Sequence, residues 1–366
     1  MGVKASRATV VMRAGVAALL ALAPCAGAQP APPPQQWMQA GGAPLSTDGV
    51  VHTLVQLAPR SGPTTIAVAP DGQLWFTQAS GNRIGRVNPD GSGLVEYPLP
   101  QAGSSPRIIA VGADHALWFS EHDGNRISRI TASGQISSFA IPTPASQPRA
   151  IALGSDGAIW FGQFTGNRIG RISVDGHISE YPLPTPDSGP RALAAGPDGN
   201  IWFSMYRAGQ IGRITPGGVI TEFALPRPNS GPGDITVGAD GALWFVELSG
   251  GMDGQVTDGN RVGRITTAGV VSEYLLPSTT PSPVNIALGP DGNIWYTQGS
   301  TVGRVTPAGV ISAFALGEGA RGVGLSAGRD RQPPGPLVNR LYVADGARDR
   351  IVYLQFAPAS TGTLQR

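Results

Sequence analysis

One short pattern recurs through this chain at an almost constant interval. Each copy begins with an aliphatic residue and an aromatic pair, and the copies occupy 74–78, 117–121, 159–163, 201–205, 243–247 and 294–298, with a divergent copy at 341–345. The tryptophans at 75, 118, 160, 202 and 244 are 43, 42, 42 and 42 residues apart, and the next two intervals, to Trp295 and Tyr342, are 51 and 47. A fixed period of this length is typical of repeat architectures and constrains the fold more than any other feature of the sequence.

The copy from Arg149 to Leu183 indicates how each unit folds. An apolar run ends at Gly154–Gly157, where an Asp-Gly pair predicts a tight hairpin because glycine accepts the positive φ of that turn. Three further short strands are predicted between turn residues, at 159–163, 168–172 and 177–183. Each copy is therefore expected to form a four-stranded antiparallel sheet, and radial repetition of such sheets gives a β-propeller.

The ends of the repeat region determine the number of blades. Six copies are complete, whereas the seventh supplies three strands, at 322–327, 340–345 and 350–356, and lacks the outermost strand. The run Val50–Leu57 resembles the fourth strand of the other copies, so we expect it to complete the seventh blade and close the ring without free edges. The predicted fold is all-β, a seven-bladed β-propeller spanning 50–356.

The N-terminus predicts export. Three basic residues, Lys4, Arg7 and Arg13, accompany the apolar run 14–22, and Ala26–Ala28 fits the cleavage rule, so we expect a signal peptide at 1–28 and a secreted or periplasmic protein. The apolar run is too short to span a bilayer. Cys25 is the only cysteine and would be removed with the signal; a lipoprotein anchor at Cys25 is the minor alternative.

Composition bounds the remaining segments and partners. Residues 29–49 are rich in Pro, Gln and Gly and predict a linker, and 357–366 form a predicted C-terminal tail. The formal net charge is +2, and the basic residues are spread through the copies without forming a run. This distribution argues against binding to nucleic acid.

Two sets of loops are expected to carry a site, because the loop after the second strand and the loop between blades open on the same face of a propeller. The first set contributes a strand-end residue from each copy: Gln78, Glu121, Gln163, Met205, Glu247, Gln298 and Asp345. The second contributes the residue after each opening proline, with Asp234 and Asn285 one place further on: Thr64, Arg107, Arg149, Arg191, Gly233 and Val284. These positions differ between copies, as a ligand site requires, and we expect them to line one central funnel.

Within the first set, the Glu121–His122 pair has the most chemical character, because histidine titrates near neutral pH. Glu247 is the second candidate carboxylate. For any one strand-end carboxylate or amide, the alternative is that it satisfies loop N–H groups. The other histidines are expected away from the funnel: His115 and His177 in turns on the opposite face, and His52 on the closing strand.

In the second set, Arg107, Arg149 and Arg191 place three cations on neighbouring blades, able to hold a carboxylate or other anion. Ion pairing with Glu121 or Glu247 is the alternative. The fifth copy is nine residues longer than the others around 250–259 and adds Asp253 and Asp258 at the same face. This excess could be a lid, a cation loop or, as the spacing favours, a plain loop insertion.

The repeat closely resembles that of the virginiamycin B lyase (streptogramin lyase) family, and the resemblance covers about Val50 to Phe356. It rests on Gly-Pro-Asp-Gly-Asn-Ile-Trp-Phe at 196–203, Gly-Asn-Arg-Ile-Gly-Arg-Ile at 166–172 and Ile-Ser-Glu-Tyr-Pro-Leu-Pro-Thr-Pro at 178–186. The resemblance implies a monomeric enzyme that opens cyclic depsipeptide streptogramin B antibiotics by elimination, with a divalent metal, normally Mg²⁺. It also implies a histidine general base, with the metal and neighbouring groups stabilising the enolate-like charge.

The chain departs from the family at one informative position. Family members commonly have Pro-His where the first strand of a blade begins, whereas this chain has Pro-Arg at 106–107, 148–149 and 190–191, and arginine cannot act as a base at neutral pH. His122 is therefore the candidate base, with Glu121 and Glu247 beside it and Glu247 as candidate metal ligand. Gln78, Gln163, Gln298 and Asp345 would complete a funnel for the cyclic ester.

Two other functions stay open from the residues alone. The first is a non-catalytic secreted propeller that binds an anionic ligand or a protein partner through the arginine-rich funnel. The second is a hydrolytic lactonase. The fold alone does not choose among these functions, since propellers carry many of them.

Overall fold

The computed structural model describes residues 45–47, 49–248, 259–277, 282–331 and 337–358. Two strands, β1 (Leu45–Ser46) and β2 (Val51–Gln56), precede the first blade. The strands of blades 1 to 3 are β3 (Pro63–Val68), β4 (Leu74–Gln78), β5 (Arg83–Val87), β6 (Val95–Pro98), β7 (Pro106–Val111), β8 (Leu117–Glu121), β9 (Arg126–Ile130), β10 (Ile136–Ala140), β11 (Pro148–Leu153), β12 (Ile159–Gln163), β13 (Arg168–Ile172) and β14 (Ile178–Pro182).

Blades 4 to 7 follow the same order. Their strands are β15 (Pro190–Ala195), β16 (Ile201–Met205), β17 (Gln210–Ile214), β18 (Ile220–Ala224), β19 (Pro232–Val237), β20 (Leu243–Glu247), β21 (Arg261–Ile265), β22 (Val271–Leu275), β23 (Pro283–Leu288), β24 (Ile294–Gln298), β25 (Thr301–Val305), β26 (Ile311–Ala315), β27 (Gly322–Arg331), β28 (Leu337–Asp345) and β29 (Arg350–Pro358). No helix occurs in the described ranges, so these ranges contain no helix that could cross a membrane.

The predicted seven-bladed propeller is confirmed. Blades 1 to 6 are four-stranded antiparallel sheets with consecutive strands paired in order. Strand β2 pairs with β29, with Val51 opposite Leu354 and Gln56 opposite Arg350, so the N-terminal strand completes the seventh blade. The first strand of each blade contacts the first strand of the next, and β27 contacts β3, which closes the ring.

Several boundaries in blade 7 extend beyond those predicted from the sequence, since β27 continues to Arg331 and β28 begins at Leu337. Within the predicted linker, Leu45 and Ser46 pair with Pro358 and Ala357 on β29, which therefore runs two residues past Phe356. The predicted signal peptide, Cys25, and the insertion residues Asp253 and Asp258 lie outside the described residues.

A repeated tryptophan clamp stabilises the blades and explains the constant positions of the repeat. In blade 3, Trp160 Nε1 donates to Asp156 Oδ1 over 3.1 Å, and Arg171 Nε donates to Asp156 Oδ2 over 2.7 Å. Burial acts to raise the pKa of Asp156, but these hydrogen bonds hold it below its ordinary value. The Trp160 ring also stacks on Tyr181 of the outer strand at 5.6 Å between centroids. Blade 5 repeats this clamp with Asp240, Trp244 and Arg264.

Candidate functional site

A cavity of about 210 Å³ lies where the first strands of the blades converge. Its lining includes one or two residues from each blade, among them Thr64, Arg107, Arg149, Arg191, Asp234 and Asn285, with Arg321 at the start of blade 7. The residues after the opening prolines thus face the axis.

A β-bulge directs these side chains inward. In blade 3 the pairing of β11 with β12 shifts register between Pro148 and Ile151, and Arg149 lies in that irregularity. The same register shift begins at Pro106 and at Pro190, so Arg107 and Arg191 also lie within a bulge. A bulge re-aims one side chain relative to the regular alternation of a strand, which explains why these arginines face the channel.

Hydroxyl groups of the preceding blade hold the backbone of this position. Thr77 Oγ1 donates to the carbonyl of Arg107 over 2.6 Å, and Ser120 Oγ donates to the carbonyl of Arg149 over 3.1 Å. Ser204 Oγ makes the equivalent bond to Gly233 over 2.6 Å. Each of these bonds fixes the start of one blade against its neighbour, so the cavity wall is rigid where the arginines begin.

None of the three arginines forms an ion pair with a described residue, although the charge of Asp234 acts on Arg191. Burial, together with the charges of Arg191 and Arg107, lowers the pKa of Arg149 to about 9. Burial also lowers the pKa of Arg191. Arg107 Nε is buried without a hydrogen-bond partner, and no ion pair within the described ranges involves any of the three.

The three arginines do not pair with Glu121 or Glu247, which was the alternative to anion binding. Glu121 instead pairs with Arg126, whose Nε lies 3.2 Å from its Oε2, and it also accepts a hydrogen bond from Ser128. Neither carboxylate oxygen of Glu247 has a hydrogen-bond partner in the described part of the chain. The arginines are therefore free to interact with a ligand.

Aromatic rings cover two of the guanidinium groups. The guanidinium carbon of Arg149 lies 5.5 Å from the ring centre of Phe164, and that of Arg191 lies 5.1 Å from the ring centre of Tyr206. Both rings are only 3% exposed. Cation–π contact offsets part of the cost of burying these charges.

Phe164 and Tyr206 contact the cavity arginines, and neither was predicted from the sequence as part of a site. Both directly follow the end of the second strand, the position that His122 occupies in blade 2 and Leu248 in blade 5. The signal was present, since this position varies from copy to copy like the residue after the proline. Blades 2 to 5 thus each pair the residue after the proline with the residue after the second strand, and the pairs are Arg107 with His122, Arg149 with Phe164, Arg191 with Tyr206 and Gly233 with Leu248.

His122 lies at the cavity end of blade 2. Glu121, which precedes it, pairs with Pro106, which precedes Arg107, and the His122 N–H donates to the Ser105 carbonyl over 3.1 Å. The His122 side chain is 11% exposed, and its Nδ1 lies 2.7 Å from Asp123 Oδ1. Burial lowers the pKa of His122; the hydrogen bond to Asp123 acts to raise it, and Arg107 and Arg149 lower it. The imidazole is therefore neutral at pH 7.

The strand-end residues lie elsewhere, which corrects the expectation that both loop sets line one funnel. Gln78, Gln163, Gln298 and Asp345 are at most 6% exposed and do not line the cavity. Gln163, for example, lies on the same face of β12 as the buried Phe161, because side chains alternate along a strand. Their side chains bond inside and between blades, from Gln78 Nε2 to Glu96 (2.7 Å), Gln163 Nε2 to Glu180 (2.7 Å), Gln298 Nε2 to Asn260 (2.9 Å) and Arg350 Nε to Asp345 (2.8 Å).

The described residues do not fit a magnesium site. No three His, Cys, Asp or Glu side chains come together as ligands within the described ranges. Burial and the charge of Glu273 raise the pKa of Glu247 to about 8, so this carboxyl is mostly protonated at neutral pH and unsuited to a hard cation. Magnesium binding therefore stays a prediction.

The remaining histidines lie away from the cavity. His115 and His177 occupy turns at the end of the blades opposite Pro106 and Glu121, and His52 stacks on Tyr353 in the outer strand of blade 7 at 5.0 Å between centroids. All four histidines of the chain fall in described ranges. His122 is thus the one histidine at the cavity end of its blade, where the charges of Arg107 and Arg149 act on it.

Comparisons with known proteins agree with this architecture. The sequence model of the virginiamycin B lyase family matches residues 49–260 and 255–332. The crystal structure of selenomethionine-substituted virginiamycin B lyase from Staphylococcus aureus is 36% identical, with a TM-score of 0.76 over 84% of this chain and 99% of that one. A catalytically inactive histidine-to-alanine variant of that enzyme with quinupristin has the same identity and coverage, with a TM-score of 0.75. Virginiamycin B lyase from Bordetella bronchiseptica is 57% identical over 37 residues, which span 10% of this chain and 12% of that protein.

Proposed function

Because the chain belongs to the virginiamycin B lyase family, we propose that it is a carbon–oxygen lyase that opens a cyclic ester by elimination, with His122 as general base. The observation that carries this proposal is a neutral histidine, oriented by a carboxylate, beside a strongly cationic cavity. In the related enzyme from Staphylococcus aureus, replacing one histidine by alanine accompanies loss of catalysis.

The His122–Asp123 contact sets up the base. A carboxylate 2.7 Å from Nδ1 accepts the Nδ1–H, which leaves the Nε2 lone pair free to take a proton. The lowered pKa keeps the ring neutral at pH 7, so the base is in its active form. Glu121 has a positioning role in this scheme, because its bonds to Arg126 and Ser128 hold the strand end from which His122 emerges.

The reaction that these groups support is a proton abstraction followed by loss of a carboxylate. His122 Nε2 takes the proton from the carbon next to the one that bears the ester oxygen. The C–H electron pair forms a carbon–carbon double bond, the C–O bond breaks, and the ring opens with the carboxylate as leaving group. Negative charge develops during this step, and Arg107 and Arg149, whose positive charge already acts on His122, stabilise it.

The substrate class follows from the relative whose crystal contains quinupristin, and we propose a streptogramin B or a related cyclic depsipeptide. Magnesium is kept as a separate part of the proposal, because the described residues do not form its site. Export through the predicted signal at 1–28 and a monomeric state complete the proposal, and both are testable by N-terminal sequencing and light scattering of the mature protein.

The deciding experiment is mass-spectrometric turnover of quinupristin by the purified protein, with Mg²⁺ and with chelator. Elimination gives a linear product of unchanged mass, whereas hydrolysis adds one water. His122→Ala should lose about 100-fold or more of the rate, the usual contribution of a general base. His177→Ala, in a turn at the opposite end of the blades, is the matched control and should retain it. A product that gains a water, or full activity in His122→Ala, would contradict the proposal.

A further inference from the structure

We propose that the central cavity is a binding site for a small oxyanion, a carboxylate or phosphate group, held by the guanidinium groups of Arg107, Arg149 and Arg191. The site shares Arg107 and Arg149 with the elimination proposed above, but anion binding itself requires neither His122 nor turnover.

The residues that line the cavity carry more positive than negative charge. Four arginines and one aspartate line it. The aspartate, Asp234, is hydrogen-bonded by Asn285 Nδ2 (3.1 Å) and by the N–H groups of Ile286 (3.1 Å) and Ile235 (3.0 Å). Its charge acts on Arg191, so one carboxylate faces four guanidinium groups. Burying cations without a partner is costly, and a bound anion is what would recover that cost.

The guanidinium groups are held in place before any ligand arrives. Hydroxyl groups fix the backbone of Arg107 and Arg149, and the rings of Phe164 and Tyr206 support the side chains of Arg149 and Arg191. All three arginines are half-buried and line the cavity. Such pre-ordering lowers the entropy that a ligand loses on binding.

The shape of the site selects the class of ligand. Arginine presents a planar fork of N–H donors that matches the oxygens of a carboxylate or phosphate. The cavity of about 210 Å³ admits such a group with a small body and excludes a folded partner.

Titration calorimetry tests the site, with acetate, succinate and inorganic phosphate as probes in a low-chloride buffer at constant ionic strength. The wild-type protein should bind at least one probe saturably, and the ranking of probes distinguishes carboxylate from phosphate recognition. Arg149→Met and Arg191→Met should each weaken binding by about 10- to 100-fold, because hydrogen bonds to charged groups contribute about 1.5–3 kcal/mol. Arg168→Met, on the third strand of blade 3 and outside the cavity, is the matched control and should bind like wild type.

A thermal measurement on the wild-type protein keeps the test decisive if a variant does not fold. A bound anion raises the unfolding midpoint with a saturating dependence on its concentration, whereas general salt exclusion does not saturate. His122→Ala should still bind the anion even though it loses turnover, so failure of the lyase proposal and failure of this one are distinguishable. No saturable binding by the wild type, or equal affinity in Arg149→Met, Arg191→Met and Arg168→Met, would overturn the proposal.

Discussion

Blade 3 and blade 5 share one scaffold and differ at the positions that face the axis or meet inside the sheet. Both contain the tryptophan clamp, and both begin with a proline followed by a bulge. Blade 3 then places Arg149 in the cavity under Phe164, whereas blade 5 has Gly233. A Cβ at Gly233 would lie 2.2 Å from Leu248 Cδ1, so Leu248 occupies the space that an arginine would need.

The two blades also differ inside the sheet. In blade 3, Gln163 donates to Glu180 over 2.7 Å. The equivalent residues of blade 5 are Glu247 and Glu273, two carboxyl groups where the other blade has a donor and an acceptor. Three of their four oxygens lack a hydrogen-bond partner among the described residues. In blade 3 only Gln163 Oε1 of this pair lacks a partner, so blade 5 carries the larger cost on a scaffold that tolerates such changes.

The largest effect is expected from breaking what the two blades have in common. Trp160→Ala and Trp244→Ala each remove a side chain that is 1% exposed and leave the clamp aspartate without its indole donor. We expect each to reduce the free energy of unfolding by about 3–5 kcal/mol, as measured in urea. Tryptophan-to-alanine values that differ between the blades by much more than about 1 kcal/mol would show that the scaffold is not shared equally.

The next largest effect is expected from exchanging the strand-end residues of blades 3 and 5, Gln163 and Glu247. Glu247→Gln rebuilds in blade 5 the amide–carboxylate pair of blade 3, and Gln163→Glu does the reverse. Since the folded-state pKa of Glu247 is raised from 4.5 to about 8, ionisation costs the wild-type fold increasing stability as pH rises through this window. Glu247→Gln should therefore gain roughly 2–4 kcal/mol at pH 7 and almost nothing at pH 4. Gln163→Glu should lose stability with the same direction of pH dependence.

Urea unfolding at pH 4, 7 and 9 measures this reciprocal pair. Equal gains for Glu247→Gln at all three pH values would mean that the ionised carboxylate is not the source of the cost. Repeating the unfolding measurement with Mg²⁺ tests Glu247 as the predicted metal ligand. If Glu247 binds Mg²⁺, the ion should raise the stability of the wild type and have no effect on Glu247→Gln.

The contrast between these blades also separates what the sequence could and could not predict. The period of the tryptophans and the orphan strand at Val50–Leu57 were sufficient for the seven blades and the ring closure. The arginines were found because their position varies while its surroundings repeat. Gln163 was misplaced because strand-end polarity was given more weight than side-chain alternation, which puts it on the same face as Phe161. Phe164 and Tyr206 also occupy a position that varies, but the variation alone did not place them beside the arginines, because that contact depends on a bulge with no sequence signature beyond the proline.

A smaller effect tests why blade 5 has no arginine. Gly233→Ala should destabilise the protein by about 1–3 kcal/mol, because the added methyl group overlaps Leu248 Cδ1 and also approaches Val246 Cγ2 at 2.9 Å. Leu248→Ala removes part of this conflict, so the double variant should be less destabilised than the sum of the two single variants. Additive losses in a double-mutant cycle would mean that Leu248 does not limit the space at this position.

The smallest effect concerns the histidine that blade 2 places where blade 3 has Phe164 and blade 5 has Leu248. Asp123 acts to raise the pKa of His122, so Asp123→Asn should move the acid limb of the pH–rate profile to lower pH. The limb of the wild type should already lie below 6.5, the ordinary histidine value, and activity should fall as pH drops through it. Because Asp123 is 56% exposed, the change in rate on the plateau should not exceed about fivefold. An acid limb that stays in place in Asp123→Asn, or moves to higher pH, would show that a group other than His122 titrates in the reaction. Blade 2, like blade 5, would then support the site structurally without supplying a catalytic residue.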